Sequence, residues 1–251
     1  MTGDLDGSRD DLLPRSALWR SASALFRYPR PGAEAEVGGA EFWEAAERAA
    51  RALAEPALAD AVGRARRGFE GRDAASLEEE FVQAFGHTLE GSAPPYETLW
   101  GLEGSLLQPH AIADLAAFYR AHGLQIVPGG ERPDHLSVEC EFLHYLAFKE
   151  ARARARGEAG HVETCRATRA EFLREHLGRF APAFARRLRQ ASGDRAFGAA
   201  GDLLGALVRS EAASLEVRTG DEDLPLRTIS FEDEGGCVSC PLAREAGRSP
   251  G

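Results

Sequence analysis

Apolar residues recur every three or four positions along almost the whole of this chain, and Ala, Leu, Arg and Glu dominate between them. These are strong helix formers. β-branched residues are scarce, and no segment alternates apolar and polar side chains convincingly as a half-buried strand does. The pattern predicts one all-α, multi-helix globular domain of eight to ten helices over residues 1–220. An acidic, mobile tail is expected over 221–251, where the character changes.

The helices can be placed approximately. The first runs from about Asp11 to Tyr28, stopped by Pro29 and Pro31. The second starts near Glu41, with Phe42, Trp43, Ala46, Ala50 and Leu53 on one side, and Pro56 begins a third that ends near Gly68. Ser76-Leu77-Glu78-Glu79 reads as a capping box, followed by the stripe Leu77, Phe81, Phe85. Gly86 to Pro109 forms a long loop, and loops of that length inside a compact domain often serve function. Pro109 opens a helix ended by Gly123. Pro133, at a helical N1 position, opens another that runs to about Arg156. Helices over about His161–Leu177, Arg179–Ala191 and Asp194–Val217 complete the body.

Charge and size exclude several classes. With 40 acidic against 30 basic residues, the formal charge of −10 argues against a nucleic-acid binder. Six acids and one arginine lie in 221–236, so half of that excess belongs to the tail. No run of about 18 apolar residues exists, and the N-terminus, MTGDLDGSRDD, lacks the basic and apolar regions of a secretory signal. A cytoplasmic location is expected. Four cysteines do not make a disulfide scaffold.

Three segments carry candidate chemistry. In Glu131-Arg132-Pro133-Asp134-His135-Leu136, the simplest reading is a good helix start, since a carboxylate complements exposed N–H groups there. The functional reading puts Asp134 and His135 at a pocket rim. His135 and Glu139 share a helix face, but His144 is out of phase with them, so one helix cannot offer all three to a metal. The loop Ala93-Pro94-Pro95-Tyr96-Glu97-Thr98-Leu99-Trp100 either buries its own aromatics or offers them as a peptide-binding ledge. Cys237-Val-Ser-Cys240-Pro241 supplies only two possible metal or redox ligands, while Cys140 and Cys165 read as core residues. Arg66-Arg67-Gly68-Phe69 imitates a twin-arginine motif but is internal, and cations at a helix end explain it. No nucleophile elbow, P-loop or dinucleotide fingerprint occurs, so a binder is expected rather than an enzyme.

Phe81-Val-Gln-Ala-Phe85-Gly86 with Pro94-Pro95-Tyr96-Glu97, then Glu131-Arg-Pro133-Asp134-His135-Leu136 running to Glu139-Cys-Glu141-Phe142-Leu143, resemble motifs of the TorD/DmsD/NarJ-type chaperones of molybdoenzymes. Phe172-Leu173-Arg-Glu-His176-Leu177 through Phe184 is similar to that family's later helix pair. The resemblance spans roughly Leu13 to Val217. It implies an all-α fold, no catalysis and no cofactor of its own. The implied partner is a molybdopterin-containing oxidoreductase catalytic subunit, met as its apo form or twin-arginine signal peptide, with cofactor insertion assisted before export. The implied binding region is Tyr96, Glu97, Trp100, Glu131, Pro133, Asp134, His135 and Leu136, on a monomer or homodimer without nucleic acid or membrane insertion. The alternative is a small metal- or redox-binding protein using Cys237 and Cys240. An enzyme built on Asp134 and His135 ranks last, because neighbouring helical residues point about 100° apart.

Overall fold

α10 (Ala196–Leu215) forms the spine of the molecule, with apolar and small residues around almost its whole circumference. A helix apolar all round has to be enclosed, and here α9 (Leu177–Ser192), α4 (Pro56–Phe69), α1 (Leu12–Leu25), α5 (Ala74–Phe85) and α8 (Ala159–Glu175) pack against it. The computed structural model describes residues 11–30, 34–86, 91–101, 108–127 and 129–227. The remaining helices are α2 (Glu34–Val37), α3 (Ala40–Ala52), α6 (Gln108–Ala121) and α7 (Leu136–Ala155). The described residues contain no β-strand, only two isolated bridges, and share one hydrophobic core. The all-α expectation is met.

Close approach at the spine depends on small residues. A Cβ on Gly201 would lie 3.1 Å from the Ala185 carbonyl oxygen and 3.4 Å from Leu188, so α9 sits almost on the α10 backbone. Opposite charges pair inside the bundle. Arg169 of α8 donates to Glu150 of α7 and to Glu211 of α10, all three buried. Arg154 adds a second contact to Glu150 at 2.6 Å, and Arg15 of α1 reaches Ser210 at 2.7 Å and Glu55 at 3.2 Å. A buried carboxylate without such partners costs several kcal/mol, and these helices meet with their buried charges paired.

Three local details differ from the sequence expectation. The cap of α5 is Asp73, whose carboxylate accepts from the Ser76 N–H at 2.8 Å. Ser76 therefore lies inside the first turn, its own N–H being the orphan donor that Asp73 satisfies. α7 starts at Leu136 rather than at Pro133, since the Pro133 carbonyl is taken by the Tyr119 hydroxyl at 2.9 Å and His135 is the cap. Finally, the first residues assigned to the tail attach to the body. Pro182 inside α9 has no N–H for the Gly178 carbonyl, and the Gly220 N–H takes that place at 2.9 Å. A Cβ on Gly220 would lie 2.0 Å from the Arg179 carbonyl oxygen, so only glycine fits. Residues 221–227 continue across the Trp100 loop, with Gly101 N–H donating to Pro225 and Arg227 N–H to Leu99, both at 2.9 Å. Cys237 and Cys240 lie outside the described residues.

Candidate functional site

The Pro-rich loop and the start of α7 fold onto each other as a clasp. Residues 95–97 run antiparallel to 134–136: Glu97 N–H donates to the Asp134 carbonyl at 2.9 Å, and Leu136 N–H to the Pro95 carbonyl at 2.8 Å. Two prolines stiffen the loop, and the Leu99 and Trp100 N–H groups close a 3₁₀ turn within it on the Tyr96 and Glu97 carbonyls. The Asp134 side chain is fully buried and accepts from Thr98 Oγ1 at 2.7 Å. Arg132 grips the same carboxylate with a fork, Nε to Oδ1 at 3.0 Å and Nη2 to Oδ2 at 2.9 Å, while its guanidinium lies 4.5 Å from the Tyr96 ring centre.

Glu97 points the other way. Its carboxylate meets His176 Nδ1 at 3.2 Å and Arg179 Nη2 at 3.2 Å, which ties the loop to the α8–α9 junction. Trp100 is fully buried, donates from Nε1 to the Pro94 carbonyl at 3.0 Å and packs beside Phe180 and Phe184. The loop thus inserts its tryptophan into the core and does not offer it as a ledge. Tyr96 is half-buried, its ring edge-on to His135 at 5.1 Å.

His135 is buried, and its Nδ1 accepts from the Ser137 N–H at 3.1 Å, capping α7. The ring proton therefore sits on Nε2, which faces the Glu131 carboxylate at 3.4 Å. Burial lowers its pKa from 6.5 to about 4, so the native imidazole is neutral where the unfolded one is charged. Between those values the unfolded chain binds the extra proton. Stability from this group is thus complete above about 6.5 and is lost as pH falls toward 4, by about 3 kcal/mol in all. His135→Asn keeps a cap acceptor and does not titrate. Its urea-denaturation midpoint should decline less than that of the parent between pH 7 and 4.5.

Of the eight residues singled out from the sequence, the structure brings together Tyr96, Glu97, Pro133, Asp134, His135 and Leu136, with Trp100 beneath them. Asp134, Leu136 and Trp100 have no exposed surface with which to touch a partner. Glu131 is exposed and lines a groove next to the clasp. Sequence reasoning missed Thr98, Arg132 and Tyr119 as clasp members, and missed the groove.

That groove has a volume of about 680 Å³ and lies between the end of α1, residues 124–127 and 129–131, and one face of α7. Val138, Glu141, Tyr145 and Phe148 form its α7 wall, at helical spacing on a face separate from the core stripe Leu136, Cys140, Leu143, Ala147. Val127 is 71% exposed, Tyr28 43% and Phe148 41%, so the groove gathers three of the large apolar residues that the described surface leaves to solvent. Glu36, Glu131 and Glu141 stand on its rim with Arg27 and Arg30, and Arg27 is already paired to Glu141 at 2.9 Å. A second trough of about 730 Å³ runs between α4, α9 and α10, but its arginines 64, 186, 189 and 209 face Asp60, Asp202, Asp221 and Glu222, which balances its charge. Among the described residues, no three His, Cys, Asp or Glu side chains are grouped to hold a metal. Cys140 and Cys165 are buried free thiols, and burial raises both above the ordinary thiol pKa, which suits core packing rather than reactivity.

Fold and site together define an all-α protein with a buried polar clasp beside an apolar surface groove. The chain belongs to the nitrate reductase delta subunit family, whose profile matches residues 43–186 and so takes in both halves of the clasp and the α7 wall. It is similar to the chaperone protein TorD of Vibrio cholerae serotype O1 strain M66-2, 26% identical over 141 residues, which are 56% of this chain and 62% of that protein. It is also similar to a selenate reductase assembly chaperone protein of Thauera selenatis, 34% identical over 105 residues, 41% of this chain and 52% of the relative. The chain therefore spans about half to three-fifths of the curated relatives it matches. No described helix is long and apolar enough to cross a membrane.

Proposed function

We propose that this protein is an assembly chaperone for a molybdenum-containing oxidoreductase subunit, and that it holds an apolar, arginine-bearing segment of that client in the α1/α7 groove. The observation that carries the reading is the groove itself, where exposed Val127, Tyr28 and Phe148 meet under a carboxylate rim. An apolar segment buried there gains about 25 cal/mol per Å². A guanidinium can pair with Glu131 or Glu36, or displace Arg27 from Glu141. The named relatives supply the client class: one is an assembly chaperone for selenate reductase and another is a TorD chaperone.

In this reading the eight residues divide in two. Glu131 meets the client, with Tyr96 and Pro133 at the margin, while Glu97, Trp100, Asp134, His135 and Leu136 shape the wall. The client's twin-arginine leader fits the groove chemistry, and holding it back would leave time for cofactor insertion before export. The function requires no catalytic group of the chaperone.

The test is capture of the client. The full chain, returned to its native host and recovered with its partner, should bring down a molybdoenzyme catalytic subunit identified by mass spectrometry. The exposed pair Val127→Ser and Phe148→Ser leaves the core intact, so circular dichroism should be unchanged while affinity for the subunit's leader peptide falls about tenfold per substitution. Unchanged affinity in the double variant would remove the groove from the account.

A further inference from the structure

Glu139 is the group that the clasp encloses but does not use. Its side chain is fully buried in the first turn of α7, and neither carboxyl oxygen meets a hydrogen-bonding partner among the described residues. A charged carboxylate in that position would be prohibitively costly, so the group carries a proton. Its surroundings agree. Glu97 faces it from the loop and Asp134 from the turn, and both are committed elsewhere: Asp134 to Arg132 and Thr98, Glu97 to His176 and Arg179. The other titratable neighbours are Tyr119 from α6 and Cys140 from α7 itself. Arg179 is the cation that acts against this effect, and it is held by Glu97. Burial and the two carboxylates together raise the Glu139 pKa well above the usual 4.5.

We propose that Glu139 is a proton-held joint: uncharged, it lets the 94–100 loop close on the start of α7, and charged, it drives loop and helix apart and deforms the groove alongside. Three carboxylates would then share one buried space served by Arg132, Arg179 and His176, each already engaged. The groove follows because Ser137 and Val138 line it from the same turns of α7, and Tyr119 both lines it and holds the Pro133 carbonyl. The joint stands on the clasp geometry alone; its effect on a bound peptide rests on the groove reading.

The direction is opposite to that of His135. Native Glu139 keeps a proton that the unfolded chain releases above about 4.5, so its contribution is full below that value and declines as pH rises. The test is amide hydrogen exchange on the full chain at pH 6 and 8.5, corrected for intrinsic rates, with Glu139→Gln and Glu139→Met beside the parent. In the parent, protection of the Glu97 and Leu136 amides should drop about tenfold between the two pH values, whereas both variants hold it constant. An equal drop in parent and variants, no drop in the parent, or failure of both neutral variants to fold overturns the proposal. Binding of a fluorescent leader peptide is followed in parallel. Exchange that behaves as stated while peptide affinity ignores pH would retain the joint and reject the groove as its readout.

Discussion

Replacing Arg169 with methionine should destabilise the protein by about 3–5 kcal/mol, the usual loss when one partner of a buried ion pair is removed. Arg169 bonds both Glu150 and Glu211 directly, so its loss leaves two buried carboxylates short of a donor. Glu150 keeps Arg154, and Glu211 keeps Arg15 at 3.6 Å, which limits the damage but does not repair it. The helices at stake are α1, α7, α8 and α10, so the groove wall on α7 should loosen as the bundle does. Urea denaturation measures the change. A triple variant with Glu150→Gln, Arg169→Met and Glu211→Gln should recover much of it, because no buried charge is then stranded.

Asp134→Ala should cost about 2–4 kcal/mol, since it takes the buried carboxylate away from the Thr98 hydroxyl, which keeps Arg132 at 3.1 Å, and releases the Arg132 fork from that carboxylate. Arg132 is about one-third exposed and can turn to water, which keeps the figure below that of a wholly buried pair. The consequence for function is specific. Asp134 is inaccessible, so the substitution should weaken a bound peptide through a displaced α7 start and not through a lost contact. A thermal midpoint that falls together with peptide affinity fits that role. Lost affinity with an unchanged midpoint would instead make Asp134 a direct contact.

How legible these features are in the sequence depends on how far apart the interacting residues lie. The helices are legible, because propensity and a 3.6-residue period act within each segment; α3, α4 and α9 lie within a few residues of their expected bounds. Caps are harder. Asp73 and Ser76 both fit the local rule for α5, and only the folded backbone decides between them. The clasp was named by motif, yet its meaning depends on Thr98 reaching Asp134 across 36 positions and on Tyr119 taking the Pro133 carbonyl, neither of which has a local signal. Trp100 reads from sequence either as a core residue or as a ledge, because a loop aromatic is ambiguous until its Nε1–H partner is known. The groove did leave a trace: Val138, Glu141, Tyr145 and Phe148 form a second stripe on α7 beside the core stripe. A helix with two apolar faces has more surface than one core can cover.

The two titrating groups at the start of α7 give the site a preferred pH range. His135 weakens the fold as acid is added, and Glu139 weakens the clasp as acid is removed. Both act on the same turn, next to the residues that line the groove. The polar clasp therefore sets the shape of the apolar wall that the proposed function assigns to the client.

One measurement reaches the central claim most directly: amide hydrogen exchange of the full chain with and without the leader peptide of its captured client. The account predicts protection confined to residues 124–131 and to the 137–148 face of α7, with the α4/α9/α10 trough unchanged. Protection at the trough, with the α1/α7 groove exchanging as freely as before, would contradict it.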